Sequence, residues 1–303
     1  ILLDFQKPDK GVDSVILDLR TNGGGALSEA ISLTGLFIDQ GPVVKVKGRL
    51  PREEMHEDND KGMAYSGPLM VLVNKLSASA SEIFAGAIQD YGRGLIVGDT
   101  STHGKGTVQT VVDIGGRQRG LVASREGQLG ALKLTIQQFY RVNGDSTQNR
   151  GVESDIVLPS VVDHMDVGET ALPQALPFEH VNPVDHPNLG LVPLELKSQL
   201  RTFSDKRREE SSDFRKVLDD IVRWEEIKQR KSITLNEENR REERQRMEKA
   251  EEAVADPDDQ PPGADKKKKD KQVFERTYYN TEVLSIMEDF LRLGNHPRVA
   301  TKL

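Results

Sequence analysis

The sequence predicts an α/β fold, a layered sheet with helices on its faces, followed by a helical C-terminal extension. Two observations indicate the core. Between residues 13 and 158, short apolar runs are typical of buried strands, and they alternate with stretches of helical periodicity. A third indicates the extension, because the chain beyond residue 194 is highly charged and its apolar residues recur at helical spacing. We therefore expect a core at 1–160, an irregular linker at 161–192 and a helical C-terminal domain at 193–303.

The individual elements follow from local patterns. Strands are predicted where apolar runs are short or where apolar and polar residues alternate, at 14–19, 43–47, 68–73, 95–98, 108–114, 132–142 and 155–158. Helices are predicted where apolar residues recur at i, i+3 and i+4, at 26–37, from the serines near 79 to about 91, within 194–250 with Ser212 as a cap, and from about 281 to 293. The Pro- and charge-rich stretch 251–272 is predicted to be disordered.

Composition excludes several classes of function. The 303 residues carry a net charge of −7, which argues against a nucleic-acid partner held by phosphate neutralisation. The absence of cysteine excludes disulfides and thiolate metal sites. No run of about 18 apolar residues occurs, so no spanning helix is expected and any membrane association is peripheral at most. The chain begins with Ile-Leu-Leu-Asp-Phe, which reads as the interior of a domain, and we expect it to be a piece of a longer protein.

The first candidate motif is SASASEIFAG at residues 77–86, directly after the predicted strand 68–73. Ser79 and Glu82 have the S-x-x-E spacing of a helix capping box. A serine on a turn between a buried strand and a helix also has the exposed position that a nucleophile needs. Taken alone, the stretch favours the cap, and a nucleophile requires further signals.

Two glycine-rich motifs supply those signals. GKGTVQ begins at Gly104 and places Lys105 between two glycines after the strand 95–98, where burial would lower the lysine pKa from about 10.4 and make it a base. The alternative is a solvent- or phosphate-facing turn, although the Walker spacing is absent. The stretch DLRTNGGG at residues 18–25 leads from the predicted strand 14–19 into three glycines. Their backbone N–H groups could approach a ligand closely, as an oxyanion hole requires. The alternative here is a flexible turn before a helix.

Together and in this order, the motifs resemble the C-terminal processing peptidases, serine proteases with a Ser-Lys dyad, and most closely their tail-specific branch. The resemblance rests on DLRTNGGGALSEAISLTGLFI, LVNKLSASASEIFAGAIQDYGRGLIVGD, GKGTVQ and FYRVNGDSTQNRGVESDIVLP. It covers residues 13–160 strongly and the helical region 194–293 weakly. It implies a crotonase-like/ClpP-like layered αβ protease core, hydrolysis through an acyl-enzyme, and neither metal nor cofactor.

The resemblance also assigns roles to residues of this chain. It makes Ser79 the nucleophile, Lys105 the base and Gln109 the group that orients the lysine amine. The oxyanion hole would use the amides of Ala80 and Gly25. Gly24 is the alternative to Gly25.

Three departures from the family pattern surround these residues. His103 stands where a phenylalanine usually precedes GKG, and Lys105 follows Ser79 by 26 residues, one more than the family spacing leads us to expect. Glu153 and Ser154 replace the usual Thr-Pro. The first departure lies beside the base and bears on how Lys105 approaches the serine.

The resemblance further implies unfolded or C-terminally tagged protein substrates, an adaptor protein and a bacterial periplasmic location. The resemblance implies that apolar tails are selected through a PDZ domain that precedes the core, and we expect that residues 1–303 do not include this domain. We therefore expect weak or absent activity from residues 1–303 alone.

Three alternatives stay open at the level of sequence. His103 with Asp99 could act as a base on the serine, in a serine–histidine arrangement. The oxyanion glycines and the α/β core are also compatible with a crotonase-type acyl-CoA enzyme. A non-catalytic binding module built on the charged helices is the third alternative.

Overall fold

Two four-stranded sheets organise the fold in a computed structural model of the chain. The structure describes residues 2–3, 11–48, 53–114, 130–230, 232, 235–242, 244–245 and 274–294. In chain order the strands are β1 (Val15–Asp18), β2 (Gly41–Gly48), β3 (Glu53–Asp58), β4 (Leu69–Val73), β5 (Leu95–Gly98), β6 (Thr107–Asp113), β7 (Ala131–Tyr140) and β8 (Ile156–Val157). The parallel sheet has the order β1-β4-β5-β8, and the antiparallel sheet has the order β3-β2-β7-β6.

The described residues form five α-helices that are numbered here in chain order. They are α1 (Leu27–Gly35), α2 (Ala80–Asp90), α3 (Leu194–Glu210), α4 (Ser212–Gln229) and α5 (Tyr278–Leu293). Short 3-10 helices cover Val162–His164 and Glu169–Ala171, and residues 237–242 are also helical. None of the helices in the described ranges is long and apolar enough to cross a bilayer.

Helix α2 lies between the two sheets. Phe84 and Ile88 pack in one cluster with the parallel sheet, while Ile83 and Ala87 pack in another with strands of the antiparallel sheet. Since both sides of the helix are covered, every residue from 81 to 88 is buried. The N-terminus of α2 is therefore held rigidly at the carboxyl end of β4.

The C-terminal helices cover the other face of the parallel sheet. All five residues of β4 are buried, and successive side chains point to opposite faces. Val71 packs in the cluster that contains α2, whereas Met70 and Leu72 pack in a cluster with α3 and α5. From α5 that cluster takes Val283, Ile286, Met287 and Phe290, the i, i+3, i+4, i+7 pattern of an amphipathic helix.

The predicted fold class, a layered α/β core followed by a helical extension, is confirmed. The predicted cap at Ser212 is wrong, because the cap of α4 is Ser211. The backbone of Ser211 is extended, and its hydroxyl accepts the N–H of Phe214, three residues further on. The last helix begins at Tyr278 with Thr277 as its cap, three residues earlier than predicted. The stretch 251–272, predicted to be disordered, lies outside the described residues.

We expect Ile286→Ala to lower the free energy of unfolding by about 2–5 kcal/mol, because a fully buried aliphatic side chain leaves a cavity when it is truncated. Urea denaturation measures this change. The matched control is Leu293→Ala in the last turn of the same helix, where the side chain is 36% exposed and the loss should be much smaller. Equal losses in the two variants would contradict docking of α5 through its buried face.

Candidate active site

Ser79 is the N-cap residue of α2 and has an unusual backbone conformation, φ 57° and ψ −112°. A non-glycine residue in this region stores about 1–3 kcal/mol of strain, which the surrounding structure must hold in place. A strained serine on a sharp strand-to-helix turn is also the arrangement that exposes a nucleophile above a sheet. The backbone thus presents Ser79 at the start of a buried helix.

The three serines of the motif differ in what their hydroxyls contact. The Ser77 side chain is fully buried, and its Oγ donates to the Leu19 carbonyl at 2.7 Å and accepts the Asn74 N–H at 2.9 Å. The Ser81 Oγ lies 3.0 Å from the backbone oxygen of Asn22 and 2.9 Å from its Oδ1. These two hydroxyls fix the turn to the loop after β1, whereas Ser79 is only half-buried.

The middle glycine of the triplet, Gly24, lies directly against this turn. Gly24 has φ 100°, and a Cβ there would stand 2.6 Å from the Ala78 carbonyl oxygen and 2.9 Å from the Ala80 nitrogen, so no side chain fits. The Gly24 N–H donates to Asn22 Oδ1 at 2.9 Å. Among the described residues, the N–H groups of Gly25 and Ala80 have no hydrogen-bond partner, so both predicted oxyanion amides are available to a ligand.

The loop that carries Lys105 is fixed through its backbone. Glu82 Oε1 accepts the Gly104 N–H at 2.7 Å, and Glu82 Oε2 accepts the Lys105 N–H at 3.0 Å. From the other side, the Asn149 N–H donates to the Gly104 carbonyl at 2.7 Å and the Thr147 hydroxyl donates to the Lys105 carbonyl at 2.8 Å. The path of the lysine backbone is therefore determined on both sides.

The Glu82 carboxylate joins this loop to the serine turn. Its Oε2, which accepts from Lys105, also accepts the Ser79 N–H at 2.7 Å, and its Oε1 accepts the Thr102 hydroxyl at 2.6 Å. The side chain is fully buried, and burial raises the pKa of Glu82 to about 7, with the hydrogen bonds acting in the opposite direction. The sequence indicated Glu82 only as a capping residue.

The environment of Lys105 acts on balance against the charged form of its amine. The side chain is half-buried, and burial, followed by the positive charge of Lys133, lowers the Lys105 pKa. The carboxylates of Glu169 and Glu82 act in the opposite direction. Within the described part of the chain, no hydrogen bond joins the Ser79 hydroxyl to the Lys105 amine; such contacts often tighten only when substrate binds.

Gln109 makes no hydrogen bond to Lys105 within the described residues. It is exposed on β6, just past a register shift between Val108 and Gln109. The structure thus brings Ser79, Ala80, the glycine triplet and the Lys105 loop together. The orienting role of Gln109 stays a prediction.

His103 and Asp99 do not form a pair. Asp99 accepts the Lys75 N–H at 2.8 Å and the Ser160 hydroxyl at 2.6 Å, and burial raises its pKa to about 6. The His103 Nδ1 lies 3.9 Å from the Glu169 carboxylate, and burial lowers the His103 pKa. Asp99 is therefore not placed to orient His103 as a base.

Two residues near the base went unnoticed in the sequence. The Gln148 Oε1 accepts the Gly106 N–H at 2.8 Å, and its Nε2 donates to Glu169 Oε1 at 3.0 Å. The Glu169 N–H donates to the His103 carbonyl at 3.0 Å. Gln148 lies in a loop and Glu169 begins a short 3-10 helix, and their contacts join segments distant in sequence, so no periodicity could have indicated them. Within the described ranges, no group of three or more His, Cys, Asp or Glu could hold a metal ion.

Two protein-family models match this chain. The model of peptidase family S41 matches residues 1–158, and a model described as the C-terminal domain of tail specific protease (DUF3340) matches residues 162–292. The chain belongs to peptidase family S41. The resemblance inferred from the motifs is thereby confirmed.

Individual relatives cover parts of the chain. It is 46% identical over 180 residues to the tail-specific protease of Haemophilus influenzae, covering 59% of this chain and 25% of that protein. It is 40% identical over 152 residues to the carboxy-terminal-processing protease of Bartonella bacilliformis, covering 50% of this chain and 32% of that protein. A solved photosystem II D1 C-terminal processing protease is 32% identical, with a TM-score of 0.42 over 50% of this chain and 36% of that one. The matched part thus spans between a quarter and a third of the two curated relatives.

We expect Glu82→Gln to lower the free energy of unfolding by about 1–3 kcal/mol, because the amide NH2 would face backbone donors that the carboxylate now satisfies. Urea unfolding at pH 8, where Glu82 is mostly ionised, measures this loss. The control is Glu29→Gln in the exposed first turn of α1, which should change stability by a few tenths of a kcal/mol. Matching values for the two variants would contradict the joining role of Glu82.

Proposed function

We propose that this protein is a serine endopeptidase that degrades or processes proteins from their C-terminal tails through a Ser79–Lys105 dyad. The observation that carries the proposal is the Glu82 carboxylate, which accepts the backbone N–H groups of both Ser79 and Lys105. Beside it, the amides of Gly25 and Ala80 have no partner in the described part of the chain. Membership of family S41 and the names of the relatives support the same reaction.

The proposed reaction begins with attack of the Ser79 Oγ on the substrate carbonyl carbon. Neutral Lys105 takes the hydroxyl proton, and the N–H groups of Gly25 and Ala80 stabilise the oxyanion. The lysine ammonium then protonates the leaving amine, which yields an acyl-enzyme. Lys105 next activates a water that attacks the ester, and serine is regenerated. Gln109 would orient the lysine amine.

The finer features of the proposal rest on the family resemblance. They are unfolded or C-terminally tagged protein substrates, an adaptor protein, a periplasmic location and the division of the chain at residues 160 and 192. The serine–histidine alternative is disfavoured because Asp99 is bound to Lys75 and Ser160 rather than to His103. The crotonase-type alternative is disfavoured by the match to a peptidase family.

In the full-length protein, we expect Ser79→Ala and Lys105→Ala each to reduce cleavage of an unfolded protein by at least about 10³-fold, since each removes a partner in proton transfer and attack. Mass spectrometry of the cleavage products measures the activity. The matched control is Ser81→Ala, which removes a hydroxyl that anchors the turn but no partner in proton transfer, and it should retain far more cleavage than Ser79→Ala. Activity that survives in Ser79→Ala but disappears in Ser81→Ala would overturn the assignment.

Charge substitutions near Lys105 should move the pH profile in opposite directions. Lys133→Gln removes a charge that lowers the Lys105 pKa, so the base stays protonated to higher pH and the acidic limb of kcat/KM moves up. Glu169→Gln removes a charge that raises this pKa, so the limb moves to lower pH. The profile of each variant, measured beside the wild type, tests this. Shifts of the same sign, or none, would argue against Lys105 as the titrating base.

A further inference from the structure

The C-terminal helix α5 touches the loop that carries the glycine triplet. Tyr279, in the first turn of α5, packs against the cluster that joins this helix to the parallel sheet. The Arg20 guanidinium carbon lies 5.2 Å from the centre of the Tyr279 ring, within the range of a cation–π interaction. The two residues are far apart in sequence, so the contact depends on the docking of α5.

Arg20 is fixed at the point where β1 passes into that loop. Its Nε donates to Asp18 Oδ1 at 2.9 Å and its Nη2 donates to Asp18 Oδ2 at 2.5 Å, a fork on the last residue of β1. The next residue, Thr21, has φ 60°, a strained conformation for a non-glycine residue, and its N–H donates to Asn74 Oδ1 at 2.9 Å. The turn that starts the loop therefore needs external support to keep its conformation.

After Thr21, the chain continues through Asn22 to Gly25, whose amide is the candidate oxyanion donor. The Asn22 carbonyl accepts the Ala78 N–H at 3.0 Å, and the Asn22 side chain accepts the Gly24 N–H at 2.9 Å. Gly25 follows immediately, and its N–H has no partner among the residues that the structure describes. A displacement of Arg20 would thus be carried through Thr21 and Asn22 to the amide of Gly25.

We propose that Tyr279 is a positioning residue for the oxyanion site, acting through Arg20. Its ring covers the guanidinium and holds the strained turn at Thr21, so that the Gly25 N–H points to where the oxyanion forms. The inference rests on the proposed function for its catalytic consequence. The proposal gives a role at the candidate active site to Tyr279, which lies outside the part of the chain that the peptidase family model matches. Tyr279 lies within 162–292, the range of the second family model.

The test compares Tyr279→Leu with Tyr279→Phe in the full-length protein. Leucine removes the π-face, and we expect kcat for an unfolded protein substrate to fall about tenfold or more with KM unchanged, because an oxyanion donor acts only in the transition state. Phenylalanine keeps the ring and should restore most of kcat. The matched control is Phe203→Leu on α3, whose ring centre lies 5.8 Å from the guanidinium carbon of Arg292 in the last turn of α5.

Hydrogen exchange of the amides of residues 20–26 provides a readout that does not need activity. We expect faster exchange in Tyr279→Leu and wild-type exchange in Tyr279→Phe and Phe203→Leu. Unchanged exchange in Tyr279→Leu, an equal increase in Phe203→Leu, or a rise in KM with constant kcat would each overturn the inference. An inactive wild type would refute the proposed function, while exchange would still decide whether Tyr279 orders the loop.

Discussion

The Glu82 carboxylate lies buried between the two loops that carry Ser79 and Lys105, and its two oxygens accept four hydrogen bonds from them and from Thr102. A buried charge is costly unless such donors surround it. Glu82 Oε2 accepts a backbone N–H from each loop. If either loop moved, a buried N–H or the carboxylate would lose its hydrogen-bond partner. The geometry between the candidate nucleophile and base is therefore set through their backbones, and the side chains approach each other from fixed positions.

This arrangement depends on where α2 lies. Glu82 is in the first turn of a helix whose two sides are covered by the two sheets, so its carboxylate has no route to solvent. The same burial holds the strained backbone of Ser79, since the helix that follows it cannot shift to relieve the strain. The position of α2 between the two sheets therefore buries Glu82 and keeps the strained backbone of Ser79 in place at the same helix terminus.

Patterns of short range could be read from the sequence, and contacts between distant segments could not. Apolar runs predicted most strands and both core helices, and the order of three motifs predicted the family. The strand Glu53–Asp58 was not predicted, because its sequence EEMHED lacks the alternation of apolar and polar residues. It forms through pairing with β2. The S-x-x-E spacing indicated that Glu82 would bind the start of its own helix, but its bonds to Gly104 and Lys105 need the chain to return. Gln148 and Glu169 likewise act through tertiary contacts that no periodicity encodes.

The region after the core completes the hydrophobic interior. Helices α3 and α5 pack on the face of the parallel sheet that bears Met70 and Leu72, and Arg207 of α3 ties them together by pairing with Glu282 and Asp289 of α5. Without these helices, that face of the sheet would be exposed to water. The segments matched by two family models therefore share one core. The shape of the loops that carry Ser79 and Lys105 therefore depends on both segments, because the sheet that carries the Ser79 loop is packed on both faces.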